Sequence, residues 1–284
     1  MRIPEVRLRC GETEAVISAS GASIRSLHRA GRPLLRGFPA GEHPPEATNI
    51  TLAPWPNRVA GAAFTFGGEV HRLEVTEPER GHALHGLSPG TLFDLVATEE
   101  VARLRAVLGP RAGWPWAIEV GVTYRVRPWG VQAEIGARNL SDRPAPCALG
   151  AHPYLDPQGW PLDECVLHLG ETRRLPLDAR MIPRGHLEPG PGRSVVMRGR
   201  HYDDLLYHRD TSPEVRLVHS SGEGVLLRTS QRWMQLYTSP QRWLAVEPMT
   251  APPDALNSHV DLSVLGPGET LSADYAVADV KEDA

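Results

Sequence analysis

Cysteine is scarce in this chain, with only Cys10, Cys147 and Cys165 among 284 residues. An odd number without Cys-x-x-Cys spacing argues against a disulfide framework and a thiolate metal site, and fits a reducing compartment. No apolar run approaches the roughly 18 residues of a membrane span, and Met1 to Cys10 alternates arginine with aliphatics in place of a signal-peptide core. The expectation is a cytoplasmic protein with no membrane partner. Positive charge is not in excess: 30 Lys and Arg face 34 Asp and Glu, a formal net charge of -4, so no nucleic-acid partner is expected. Lys281 is the one lysine, and arginine abundance by itself identifies no site. P-loop and GxGxxG sequences are missing, which removes the commonest nucleotide sites. Paired carboxylates for glycoside hydrolysis stay open.

What the chain has is punctuation. Its 27 glycines and 27 prolines are spread throughout, marking many short segments and no linker. From Trp116 to Leu140, Ile118, Val120, Val122, Tyr124 and Val126 alternate with other residues. Pro128-Trp129-Gly130 then turns the chain into Val131, Ala133, Ile135 and Ala137, a long antiparallel hairpin. Gly67-Gly68 predicts a second hairpin between Ala62 and Val75, because a Gly-Gly pair suits the positive φ of a two-residue turn. Similar alternation marks Val6 to Ile17 and Leu104 to Leu108. Near the end, Arg232 to Thr238 and Arg242 to Val246 flank a turn at Ser239-Pro240-Gln241. Pro248 is expected to end that last strand and leave Glu247 at its tip. No apolar stripe of helical period persists for three turns. The fold class that follows is all-β, a large antiparallel β-sandwich forming one domain over residues 1–284.

Five places could carry chemistry. A carboxylate between aliphatic strand residues and Pro-Met risks desolvation, which would make Glu247 a competent base near neutrality; a salt-bridged strand end is the plainer reading. His152 precedes a proline in Gly150-Ala151-His152-Pro153-Tyr154, an extended junction able to steady an imidazole, although a structural histidine fits equally. His82 and His85 have HxxH spacing, but flanking glycines argue for a loop and no third ligand is recognisable nearby. No metal is expected there, and polar contact with a small ligand is the better functional reading. Pro54-Trp55-Pro56-Asn57-Arg58 is a rigid loop presenting Trp55, Asn57 and Arg58, whose guanidinium suits several ligand oxygens or a set of backbone carbonyls. Asp203 and Asp204 would face opposite sides of a strand, so at most one serves a shared site.

Taken together, these segments resemble the aldose 1-epimerase (galactose mutarotase) family from about Glu14 to Val277. The resemblance rests on Pro54-Trp55-Pro56-Asn57-Arg58 with Gly61 and Phe64-Thr65-Phe66-Gly67-Gly68, then Leu84-His85-Gly86 and Ala151-His152-Pro153-Tyr154. It continues in Val246-Glu247-Pro248-Met249-Thr250 and Leu265-Gly266-Pro267-Gly268-Glu269. The wording is similar to a bacterial branch near, but distinct from, true galactose mutarotases. Leu87 stands where those carry a second glycine, and Gly90 to Asp94 lacks a tryptophan frequent in relatives. The resemblance implies a supersandwich whose open face binds a pyranose aldose and interconverts its α and β anomers without metal or organic cofactor. In that scheme Glu247 is the base at the anomeric hydroxyl and His152 the acid at the ring oxygen, on opposite sides of the sugar. Arg58, His85 and Asn57 contact the sugar, and Asp203 binds ring hydroxyls. Trp55, Trp233 and Tyr237 could supply an apolar platform for the sugar's CH face, although core packing is the favoured reading. A non-catalytic carbohydrate-binding protein and an epimerase for a modified or anionic sugar remain as alternatives. The oligomeric state is left open.

Overall fold

The structure, a computed structural model, describes residues 3–281; Met1, Arg2 and the last three positions of the expected 1–284 domain lie outside the described residues. Strands dominate, and every strand pairing in the two large sheets is antiparallel. The first sheet has 12 strands. Its centre runs from Tyr154–Leu155 through Leu244–Met249, Trp233–Thr238 and Asp203–His208 to Thr172–Leu175. The second has 9 strands, centred on Val101–Leu108, Ile118–Arg127, Gly130–Asn139, Thr270–Asp279 and Gly224–Thr229. One apolar cluster joins their facing sides: Leu8, Ile17, Leu27, Leu236 and Val246 meet Leu104, Val120, Val122, Ile135, Leu227 and Val277. Burial of this kind is worth about 25 cal/mol per Å² of apolar surface, which is why alternation along each strand is sufficient to fix its face.

Both expected hairpins form. Ile118–Arg127 buries every second residue and pairs with Gly130–Asn139 from Ile118 opposite Asn139 to Arg127 opposite Gly130. Ala63–Phe66 pairs with Glu69–Arg72 around Gly67 and Gly68, both with positive φ. The strand near the C-terminus departs from expectation. It runs Leu244–Met249 straight through Pro248, which lies opposite Met234. The N–H of Val246 points to the Pro153 carbonyl, so the nitrogen of Pro248, two residues on, faces the same side. There the neighbouring chain breaks between Gly150–Ala151 and Tyr154–Leu155, and no ladder bond is lost for want of a donor. Glu247 therefore sits inside a central strand and not at its tip.

Among the described residues helix is confined to one turn, Ala255–Ser258, and three 3-10 turns. No helix among the described residues is long and apolar enough to cross a membrane.

Candidate active site

The outer face of the first sheet, away from the shared core, carries the polar residues. Strand register sets Glu247 opposite Gln235, which lies opposite Leu205; two residues along, Tyr237 lies between Ala245 on one side and Asp203 on the other. Because side chains alternate, Asp203, Gln235, Tyr237 and Glu247 emerge on one face. The loops before the sheet supply the remainder. Together Asn57, Arg58, Leu84, His85, His152, Tyr154, Asp203, Gln235, Tyr237 and Glu247 line a single cleft of about 400 Å³, with Glu46, Ala47, Glu77, Glu79 and Arg80 completing it.

Each loop residue is held by backbone bonding. Asn57 has positive φ; its carbonyl accepts the His85 N–H at 2.9 Å, and its Oδ1 accepts the Arg58 N–H at 2.9 Å. Gly86 must follow His85, since it has positive φ and a Cβ there would lie 2.2 Å from the Ala53 carbonyl oxygen. His152 donates its N–H to Ile50 and accepts that of Asn49. The Asn49 side chain accepts the Tyr154 N–H at 2.9 Å and donates to the Ile24 and Arg36 carbonyls. That buried clamp fixes the His-Pro-Tyr junction.

His152 Nε2 lies 3.3 Å from Glu247 Oε1, both side chains almost fully buried. The pair is thus in direct contact. The His85 ring packs edge-on to His152 with centroids 5.2 Å apart. Burial, reinforced by the charge of Asp203, pushes the Glu247 carboxyl well above its ordinary range despite the opposing pull of Arg58. Burial likewise pushes His152 down to about 4, and burial with the neighbouring His152 and Arg58 lowers His85 well below its ordinary value. Asp203 is raised by burial against the pull of Arg58, and accepts from Gln235 Nε2 at 2.6 Å. Asp204 turns the other way, 3.6 Å from Arg174 in a separate hollow.

Trp55 packs in the core against Trp114, and Trp233 packs with Leu205 and Met249, the packing role favoured for both; the rings that line the cleft are Tyr154 and Tyr237. His82 is not a partner of His85: its Nδ1 accepts the Gly61 N–H at 3.0 Å and its Nε2 meets the Arg180 carbonyl at 3.1 Å. A different trio, His85, His152 and Glu247, brings one donor atom each within 4.8 Å of the others, close enough to share a divalent ion. Sequence reasoning also passed over Glu77, Tyr154 as a lining ring, and Gln235. Only Tyr154 had a signal, its place beside His152.

Among the described residues, eleven buried side-chain polar atoms lack a hydrogen-bond partner, and five of them belong to this cleft: His85 Nδ1, His152 Nδ1, Tyr154 Oη, Gln235 Oε1 and Glu247 Oε2. Buried polar atoms are usually satisfied, and leaving each unpaired costs about 1–3 kcal/mol, so the concentration of five in one place marks a polar binding surface.

The two broad sheets and their open polar cleft define a galactose mutarotase-like fold. It superposes with a TM-score of 0.85 on a galactose mutarotase-like protein from Clostridium acetobutylicum, 16% identical, covering 99% of this chain and 98% of that one. A GalM/aldose epimerase homologue from C. elegans gives 0.84 at 19% identity, covering 98% of each chain. In sequence, the chain is 28% identical over 277 residues to the uncharacterized protein YihR of Escherichia coli K12, covering 93% of this chain and 89% of that protein. The model of the Aldose 1-epimerase family matches residues 4–278, and the chain belongs to that family.

Proposed function

We propose that this protein is an aldose 1-epimerase that interconverts the anomers of an uncharged pyranose, with Glu247 and His152 as its acid–base pair. The observation that carries the reading is the 3.3 Å contact between these two buried groups inside a cleft of unsatisfied polar atoms. Burial disfavours either charged form, so the resting pair holds one proton in a neutral arrangement, and moving it across that contact gives carboxylate and imidazolium. The carboxylate takes the anomeric hydroxyl proton as the imidazolium gives its proton to the ring oxygen. The bond between the anomeric carbon and ring oxygen breaks, leaving the open-chain aldehyde. Rotation about the adjoining carbon–carbon bond presents the other carbonyl face, and the same two transfers reversed close the ring. Asp203, Gln235, His85 and Arg58 hold the hydroxyls meanwhile, with Asn57 keeping Arg58 and His85 in place and Tyr237 offering an apolar ring to the sugar's CH face.

An uncharged substrate is favoured over an anionic one. Arg58 and Arg80 lie together at the cleft, but both donate to Glu77, and Glu46, Glu79 and Asp203 add negative charge to the lining. A cavity near 400 Å³ is toward the small end of ligand pockets and suits a monosaccharide. The test is NMR exchange spectroscopy on a panel of neutral aldoses, uronates and sugar phosphates, with and without chelator. Acceleration of neutral aldoses above the spontaneous rate, unaffected by chelator, is expected. Binding without acceleration would make the protein a carbohydrate-binding module, and loss of activity restored by zinc would turn the His85–His152–Glu247 trio into a metal site.

A further inference from the structure

Glu77 is a buried carboxylate with 4% of its surface exposed, and nothing in the reaction scheme uses it. It lies in a tight loop whose carbonyl at Glu77 accepts the N–H groups of Arg80, Gly81 and His82. Its two oxygens take the side edge of the Arg58 guanidinium: Nε donates to Oε2 at 2.9 Å and Nη2 to Oε1 at 2.9 Å. Arg80 Nη1 also donates to Oε1, at 2.8 Å. With its Nε edge occupied and one Nη1 bond, 3.3 Å, directed at Asn57, Arg58 can turn only its remaining donors into the cleft. Such a fork-to-fork pair is rigid, unlike a lone guanidinium on its flexible stem.

The charge matters as much as the geometry. Arg58 acts electrostatically on Glu247, His85 and Asp203, and a bare guanidinium that close would pull protons from all three. We infer that Glu77 is the positioning residue of this site: it fixes the donor edge that Arg58 shows the sugar and cancels the guanidinium's charge beside His85 and Glu247. This rests on the epimerase reading for its kinetic consequences, while its electrostatic part can be read without turnover. The groups facing the pair are His85, Asp203, Tyr154, Tyr237 and Arg58, and of these only Arg58 is bonded to Glu77.

The experiment compares Glu77→Gln and Glu77→Asp with the parent protein. In Glu77→Gln the shape is kept and the charge removed, so KM should rise about tenfold to a hundredfold, the range for a charged hydrogen bond, with a smaller effect on kcat. Its pH–rate bell should move as a whole to lower pH, because an uncovered positive charge makes the pair harder to protonate and easier to deprotonate. NMR titration of the His85 and His152 imidazoles should show the same acidward shift in the absence of any sugar. Glu77→Asp keeps the charge and shortens the reach, so KM rises while both pH readouts stay put. Should Glu77→Gln fail to melt cooperatively, Glu77→Asp decides on KM. Imidazole titrations in a folded Glu77→Gln that coincide with the parent's, or an unchanged KM in Glu77→Asp, would overturn the inference. A parent protein that leaves anomerisation at the spontaneous rate would instead sink the epimerase reading, and the imidazole titrations would still judge Glu77.

Discussion

At the scale of single residues, catalysis is assigned to two groups whose environments oppose the charges they must carry. Glu247→Gln keeps volume and one acceptor but removes basicity, and general acid–base catalysis contributes about a hundredfold to ten-thousandfold. Turnover should drop on that scale with sugar affinity, followed by ligand-observed NMR, retained. His152→Asn should lose a similar factor. In the proposed scheme both take part in one coupled transfer across a 3.3 Å contact, so the double variant should lose far less than the product of the single losses. Full multiplicativity would show that they act in separate steps. Glu247, His152, His85 and Asp203 could be singled out from the sequence because each sits beside a proline, a glycine or a second carboxylate, and Arg58 because it closes the rigid Pro54-Trp55-Pro56-Asn57 loop. Glu77 and Gln235 could not. Gln235 is an ordinary polar residue of an alternating strand, and Glu77 becomes noticeable only once its loop folds back on Arg58.

At the scale of elements, what decides the site is how closely the chain can approach itself. Gly86 is the sharpest case: it has positive φ, and the Ala53 carbonyl that it faces accepts the Leu87 N–H at 2.7 Å. Gly86→Ala would drive a methyl group into that carbonyl and strain a left-handed backbone, a cost of at least about 1–3 kcal/mol. We expect a lower melting temperature together with a raised KM, because His85 is the preceding residue and would move with it. A variant with parental melting temperature and KM would mean that the loop has an alternative path. The hairpins were legible because Gly67-Gly68 and Pro128-Trp129-Gly130 separate runs of clean alternation. The strand through Pro248 was not, since proline disqualifies a central strand unless its missing N–H faces a gap, and that gap is made by His152 and Pro153, almost a hundred positions away in sequence.

At the scale of the whole molecule, the same burial that shapes the cleft sets how stability responds to pH. His208 is fully buried on the core side of the first sheet, neither ring nitrogen has a hydrogen-bond partner, and burial pushes it down to about 4 against the opposing charge of Asp210. His152 is pushed down to about 4 as well. A histidine titrates near 6.5 when unfolded, so from that pH downward the unfolded chain binds protons that the folded one refuses. Their stabilising contribution is therefore complete above about pH 6.5 and is lost as the pH falls toward 4. Glu247 works in the other direction: with a folded pKa raised above its unfolded value, its contribution is full at low pH and is lost as the pH rises above about 4.5. The acid–base pair thus keeps the neutral-pH fold less stable than it could be, a cost commonly found where function needs buried ionisable groups. Glu247→Gln removes the titration. It should melt at a higher temperature than the parent near neutrality, with the difference shrinking as the pH approaches 4.5, in the same variant that has lost its turnover. Calorimetric melts across this range check both signs at once. A Glu247→Gln protein that melts below the parent at pH 7 would mean that Glu247 is stabilised by partners in the folded state, and that burial is not what governs its proton.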